Sequence, residues 1–77
     1  MNRICIVEDE ESIGELLKMN LEMEDFEVHL FNHGGRAMEE FDQLISSDLL
    51  ILDVMLPEKS GLEICEAVRQ KSQVPIL

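Results

Sequence analysis

The chain has 77 residues, 17 of them Asp or Glu and six Lys or Arg, giving a formal net charge of −11. That length holds one domain and buries only about 60% of the surface its unfolded form exposes, while 45% apolar and 30% charged residues exclude a disordered chain. The few basic residues are scattered, which excludes a nucleic-acid surface built on clustered Lys and Arg, and no apolar run approaches the roughly 20 residues of a membrane span.

Residues 3–8, Arg-Ile-Cys-Ile-Val-Glu, form a continuous apolar run ending in acid, the pattern of a fully buried strand. This is not the pattern of a signal peptide, so the cytoplasm is the expected location. Glu-Asp-Glu-Glu-Ser follows, and then Ile13, Leu16, Leu17 and Leu21 recur at helical spacing on one face. Ser12 with Glu15 suggests a capping box at the start of this helix, and Gly14 weakens its interior. Residues 26–32 alternate for most of their length, as a half-exposed strand does. His33-Gly34-Gly35 reads as a turn. His29 falls in a strand and His33 in a turn, so the two read as surface histidines rather than a metal pair.

Ala37, Met38, Phe41, Leu44 and Ile45 make one amphipathic helix, closed by Ser46-Ser47. Residues 48–53, Asp-Leu-Leu-Ile-Leu-Asp, are a second buried strand ending in acid. Pro57 to Gly61 is a loop, and Leu62, Ile64, Cys65 and Val68 mark a further helix. Val74-Pro75-Ile76-Leu77 opens another apolar run. Cys5 and Cys65 both sit in apolar patterns and read as buried free thiols. Met19, Met23 and Met38 read as gap fillers.

The order β-α-β-α-β-α-β implies parallel strands joined by right-handed crossovers. In such sheets functional groups gather beyond the carboxyl ends of the strands. Glu8 and Asp9 end the first strand and Asp53 ends the third; if these strands are neighbours, the three acids converge. Crowded carboxylates repel, and a hard divalent cation (Mg²⁺, Mn²⁺ or Ca²⁺) relieves that repulsion. It would also offset charge on a transferring phosphoryl group, which an ionised carboxylate can attack to give an acyl phosphate. Taken singly, an Asp after a strand is more often a turn or helix-cap residue, and Asp9 or Glu10 alone could cap the first helix; the joint pattern is what points to a metal.

Ile4-Cys5-Ile6-Val7-Glu8-Asp9-Glu10 and Asp53-Val54-Met55-Leu56-Pro57-Glu58-Lys59-Ser60-Gly61-Leu62-Glu63 resemble the acidic pair and the phosphoacceptor loop of two-component response-regulator receiver domains. The separation of Asp9 from Asp53 also fits that family, and Val74-Pro75-Ile76 resembles the start of its fourth strand. The resemblance is to the N-terminal portion of a receiver, of the kind found in regulators with a winged-helix DNA-binding output domain. It implies a truncated flavodoxin-like, doubly wound parallel sheet of order 2-1-3-4, with residues 1–77 forming an incomplete receiver domain. It implies Asp53 as phosphoacceptor and Mg²⁺ held by Glu8, Asp9, Asp53 and the backbone carbonyl of Met55. Pro57 would shape the loop and Gly61 would supply backbone freedom beside the site.

The implied partner is a sensor histidine kinase, which in the family often meets the first helix, here near Ile13, Leu16 and Leu17, although each of these is read first as a core residue. The resemblance implies neither nucleic acid nor membrane for this segment. The family's last strand, last two helices, hydroxyl switch and phosphate-pairing Lys are not in these residues. That predicts apolar surface near Cys5, Leu50 or Leu52 meeting water, an open edge strand, and self-association. Two other readings stand beside phosphotransfer. One is an interaction module without the chemistry. The other is a small aspartyl-phosphate phosphohydrolase, against which Met55 stands where such enzymes place a second acid.

Overall fold

The structure is a computed structural model that describes residues 2–53 and 61–77. The strands are β1 (Arg3–Val7), β2 (Glu27–Phe31) and β3 (Leu49–Leu52), and the helices are α1 (Glu11–Met23), α2 (Gly34–Glu39), α3 (Phe41–Ile45) and α4 (Gly61–Arg69). The sheet has the order β2-β1-β3 and is parallel throughout. In register, Cys5 lies between His29 and Leu50, and Val7 lies between Phe31 and Leu52.

The final segment runs beside β3, giving the expected order 2-1-3-4. It forms one parallel bridge, Leu50 to Ile76, and no strand. The N–H of Leu50 donates to the Pro75 carbonyl at 2.9 Å, and the Leu77 N–H returns to the Leu50 carbonyl at 2.8 Å. Pro75 has no N–H of its own to add to the ladder.

Side chains alternate across a strand, so successive residues of β1 serve different cores. Cys5 and Val7 face α2, α3 and α4, where they pack with Phe31, Ala37, Leu44, Leu50, Ile64, Val68 and Val74. Ile4 and Ile6 face α1 with Val28, joined by the half-buried Leu17, Leu21, Phe26, Leu30, Leu49 and Ile51. Cys5 and Leu50 are therefore fully buried, contrary to the expectation that they meet water. Their parity sends them to the face that three helices cover. Leu52 is half-buried against the same core.

Helix α1 departs from its sequence reading in two ways. Its N-cap is Glu10, which makes no side-chain cap bond, so the Ser12–Glu15 capping box does not form. The Glu10 carbonyl already accepts the Gly14 N–H at 2.9 Å, and Ser12 falls inside the first turn. The buried face runs through Gly14, Leu17 and Leu21. Ile13 and Leu16 lie off that face, 48% and 57% exposed, and Met19 and Met23 are exposed as well rather than filling gaps.

At the other end of α1, the N–H groups of Asp25 and Phe26 donate to the carbonyls of Glu22 and Leu21. With Asp25 left-handed at φ 70°, this is a Schellman closure, and Phe26 and Leu21 pack against the same core.

The single helix expected over Ala37 to Ile45 is two. Glu40, at φ −112° and ψ 40°, leaves the helical region between α2 and α3. Helix α2 begins at Gly34, in the expected turn, and the His33 ring nitrogen Nδ1 accepts the Arg36 N–H. In α4 the buried positions are Gly61, Ile64 and Val68; Leu62 is exposed and Cys65 half-buried.

Candidate phosphoacceptor and metal site

Three carboxylates meet at the carboxyl end of the sheet, set there by different parts of the fold. Two sit on rungs that extend the ladder past the strands. The Glu8 N–H donates to the Phe31 carbonyl and the Asp53 N–H to the Val7 carbonyl, each at 3.0 Å. Because β1 and β3 are parallel neighbours, both strands deliver their terminal acids to the same edge. Asp9 belongs to the short link into α1.

One carboxylate oxygen from each of Glu8, Asp9 and Asp53 lies within 4.8 Å of the others. Glu8 and Asp53 are half-buried and Asp9 is exposed. The Glu10 N–H donates to Glu8 Oε2 at 3.1 Å. Sequence reasoning did not find this bond, since a backbone donor in a link leaves no residue-type signal.

The electrostatics follow from the crowding. Burial pushes the Glu8 carboxyl above its ordinary range and the Glu10 N–H pulls it back. A hydrogen bond with Asp53, and the negative charges of Asp53 and Asp9, raise it again. A hard cation that accepts only oxygen donors suits this set, because it would bind three carboxylates that otherwise hold one another's charge in check. Of the other expected site residues, Met55 and Pro57 lie outside the described residues. Gly61 is buried at the start of α4, directly after the residues that are not described.

No helix among the described residues is long and apolar enough to cross a membrane. The model of a family described as response regulator receiver domain matches residues 4–77. The transcriptional regulatory protein CpxR of Escherichia coli K12 is 43% identical over 77 residues, which is 100% of this chain and 32% of that protein. The chain thus spans about a third of the length of the curated relatives it matches. The crystal structure of the response regulator TrrA of Thermotoga maritima in complex with Mg²⁺-BeF is 41% identical, with a TM-score of 0.83 over 92% of this chain and 61% of that one. A second structure holds the histidine kinase ThkA in complex with TrrA, and its match is 39% identical with a TM-score of 0.82, covering 99% of this chain and 66% of that one.

Proposed function

The chain belongs to the response regulator receiver domain family, and from that membership we propose that Asp53 accepts a phosphoryl group from a phosphohistidine of a sensor kinase. Receiver domains are signalling modules of two-component systems. The observation that carries the proposal is the meeting of Glu8, Asp9 and Asp53 within 4.8 Å at the carboxyl edge of a parallel sheet.

In the proposed step an ionised Asp53 oxygen attacks phosphorus. The new O–P bond forms as the P–N bond of the phosphohistidine breaks, and its electron pair stays on the imidazole nitrogen. Asp53 is suited to this because its backbone is fixed on the sheet, so attack costs little reorganisation. Mg²⁺, when bound, would offset charge on the phosphoryl oxygens. Glu8 and Asp9, with Asp53 and the Met55 carbonyl, would hold it. The Glu10 N–H engages one oxygen of Glu8 and so orients its carboxylate.

The kinase is the proposed partner, following the complex of TrrA with ThkA. Ile13 and Leu16 on α1 are exposed and would meet it. Leu17 is committed to the core and would not.

Incubation with Mg²⁺ and acetyl phosphate tests the proposal by mass spectrometry of the intact chain. One phosphoryl adduct, absent from Asp53→Asn, is the expected result. An adduct that persists in that variant, or none in the wild-type chain, would reject Asp53 as acceptor. Turnover of many equivalents would favour a phosphohydrolase.

A further inference from the structure

Two of the three site carboxylates are placed by the sheet, but Asp9 and the Glu10 N–H are not. They stand at the start of α1, so they go where α1 goes. At this end α1 packs on β2, with Gly14 set over the side chain of Leu30. Gly14 is buried against β2. A Cβ built at Gly14 would lie 2.9 Å from Leu30 Cδ1 and 3.3 Å from Cδ2, closer than side chains pack.

The contact leads directly to the site. Gly14 donates its N–H to the Glu10 carbonyl at 2.9 Å, and the Glu10 N–H holds Glu8 Oε2 at 3.1 Å. We propose that Gly14 is a positioning residue for the metal site: its missing side chain lets the first turn of α1 sit low over Leu30, which brings Asp9 and the Glu10 N–H to the ends of β1 and β3. This rests on the metal-assisted reading above and adds to it a residue whose own atoms touch neither metal nor phosphate.

Bulk at position 14 has two outlets. Leu30 can rotate aside, since its methyls end a flexible side chain, or α1 can lift. The Gly14→Ala methyl, 2.9 Å from Leu30 Cδ1, is accommodated partly by each outlet, whereas Gly14→Val asks for more room than a methyl rotation gives in the core that Leu30 shares with Val28 and Leu17. The lift grows with the added side chain and is relieved by shortening Leu30.

The test is Mn²⁺ affinity, measured by calorimetry on the wild-type chain, Gly14→Ala, Gly14→Val, Leu30→Ala and the Gly14→Val/Leu30→Ala double variant. Thermal melts are run on each without metal. Outer residues that orient metal ligands typically change affinity by about 10-fold or more. Gly14→Val should weaken Mn²⁺ binding by about that factor, Gly14→Ala by less, and the double variant should recover toward wild type.

A merely structural role would lower melting temperatures and leave affinity unmoved, and that outcome overturns the proposal. So does a double variant that binds no better than Gly14→Val. If Gly14→Val does not fold, Gly14→Ala decides: as the better helix former it should be no less stable than wild type, yet bind Mn²⁺ more weakly. Failure of the wild-type chain to bind Mn²⁺ overturns the metal reading itself, and is thereby distinct from failure at Gly14 alone.

Discussion

Asp25 has a left-handed backbone, φ 70°, where α1 turns into β2. Its place at the end of a Schellman closure is one that glycine fills without strain. Asp25→Gly should stabilise the fold by roughly 0.5–1 kcal/mol, read as a higher urea midpoint at unchanged slope. Glu8 behaves oppositely to a usual carboxylate. Its folded pKa lies above the ordinary 4.5, so the stability it lends is complete below that value and is lost as pH rises through the folded pKa. Metal-free Glu8→Gln protein should therefore lose less stability than wild type between pH 4.5 and neutrality, by paired urea melts. Glu27, lowered by hydrogen bonds from His29 and Arg3, has the reverse sign, its contribution fading as pH falls. Burial pushes the Cys5 thiol up, so a thiol reagent should label the half-buried Cys65 first. The three acids were legible in the sequence because each ends an apolar run. The meeting of Glu8 with Asp53 required only that β1 and β3 be neighbours, whereas the place of Asp9 depends also on how α1 leaves the sheet. The Glu10 N–H clamp on Glu8 was not legible, because any residue type offers that donor.

Among the elements, the strands were the most readable and the helix ends the least. Buried strands announce themselves by continuous apolar runs, and the register fixes which of those residues meet which helix. Leu50, fully buried among Cys5, Leu44 and Val74, illustrates this. Leu50→Ala should cost about 2–5 kcal/mol by chemical denaturation. The break at Glu40 had no such signal: neither glycine nor proline stands there, and the apolar spacing runs through it unbroken. The burial of α1 was misread for a related reason. Glycine carries no hydropathy, so Gly14 was invisible as the centre of the buried face, and Ile13 and Leu16 took its place. Besides its backbone bonds to β3, the segment after α4 is held by a side chain. Ser72 Oγ donates to the Ile45 carbonyl at 3.1 Å and accepts the Val74 N–H at 3.1 Å. Ser72→Ala should lower stability by about 1–3 kcal/mol, with faster amide exchange at Val74.

At the scale of the whole molecule, a net charge of −11 opposes compaction, and acids concentrate where β1 passes into α1. Salt screens such repulsion, so raising the NaCl concentration should raise the melting temperature of the metal-free chain. The same addition should have less effect once Mg²⁺ is present. Fold class and strand order were recoverable from sequence because alternating strands and helices admit few topologies. The apolar surface was not, because that requires knowing which face three helices cover. The rungs beyond the strands have a consequence in time rather than in space. The amides of Glu8 and Asp53 are locked into carbonyls of Phe31 and Val7, so deuterium can enter them only when the sheet itself parts. The two carboxylates at the centre of the site thus ride on backbone that should be among the slowest to exchange, while Asp9 and Glu10 beside them should exchange with the fraying of α1. A receiver built in this way would keep its acceptor still and let its metal-facing rim breathe.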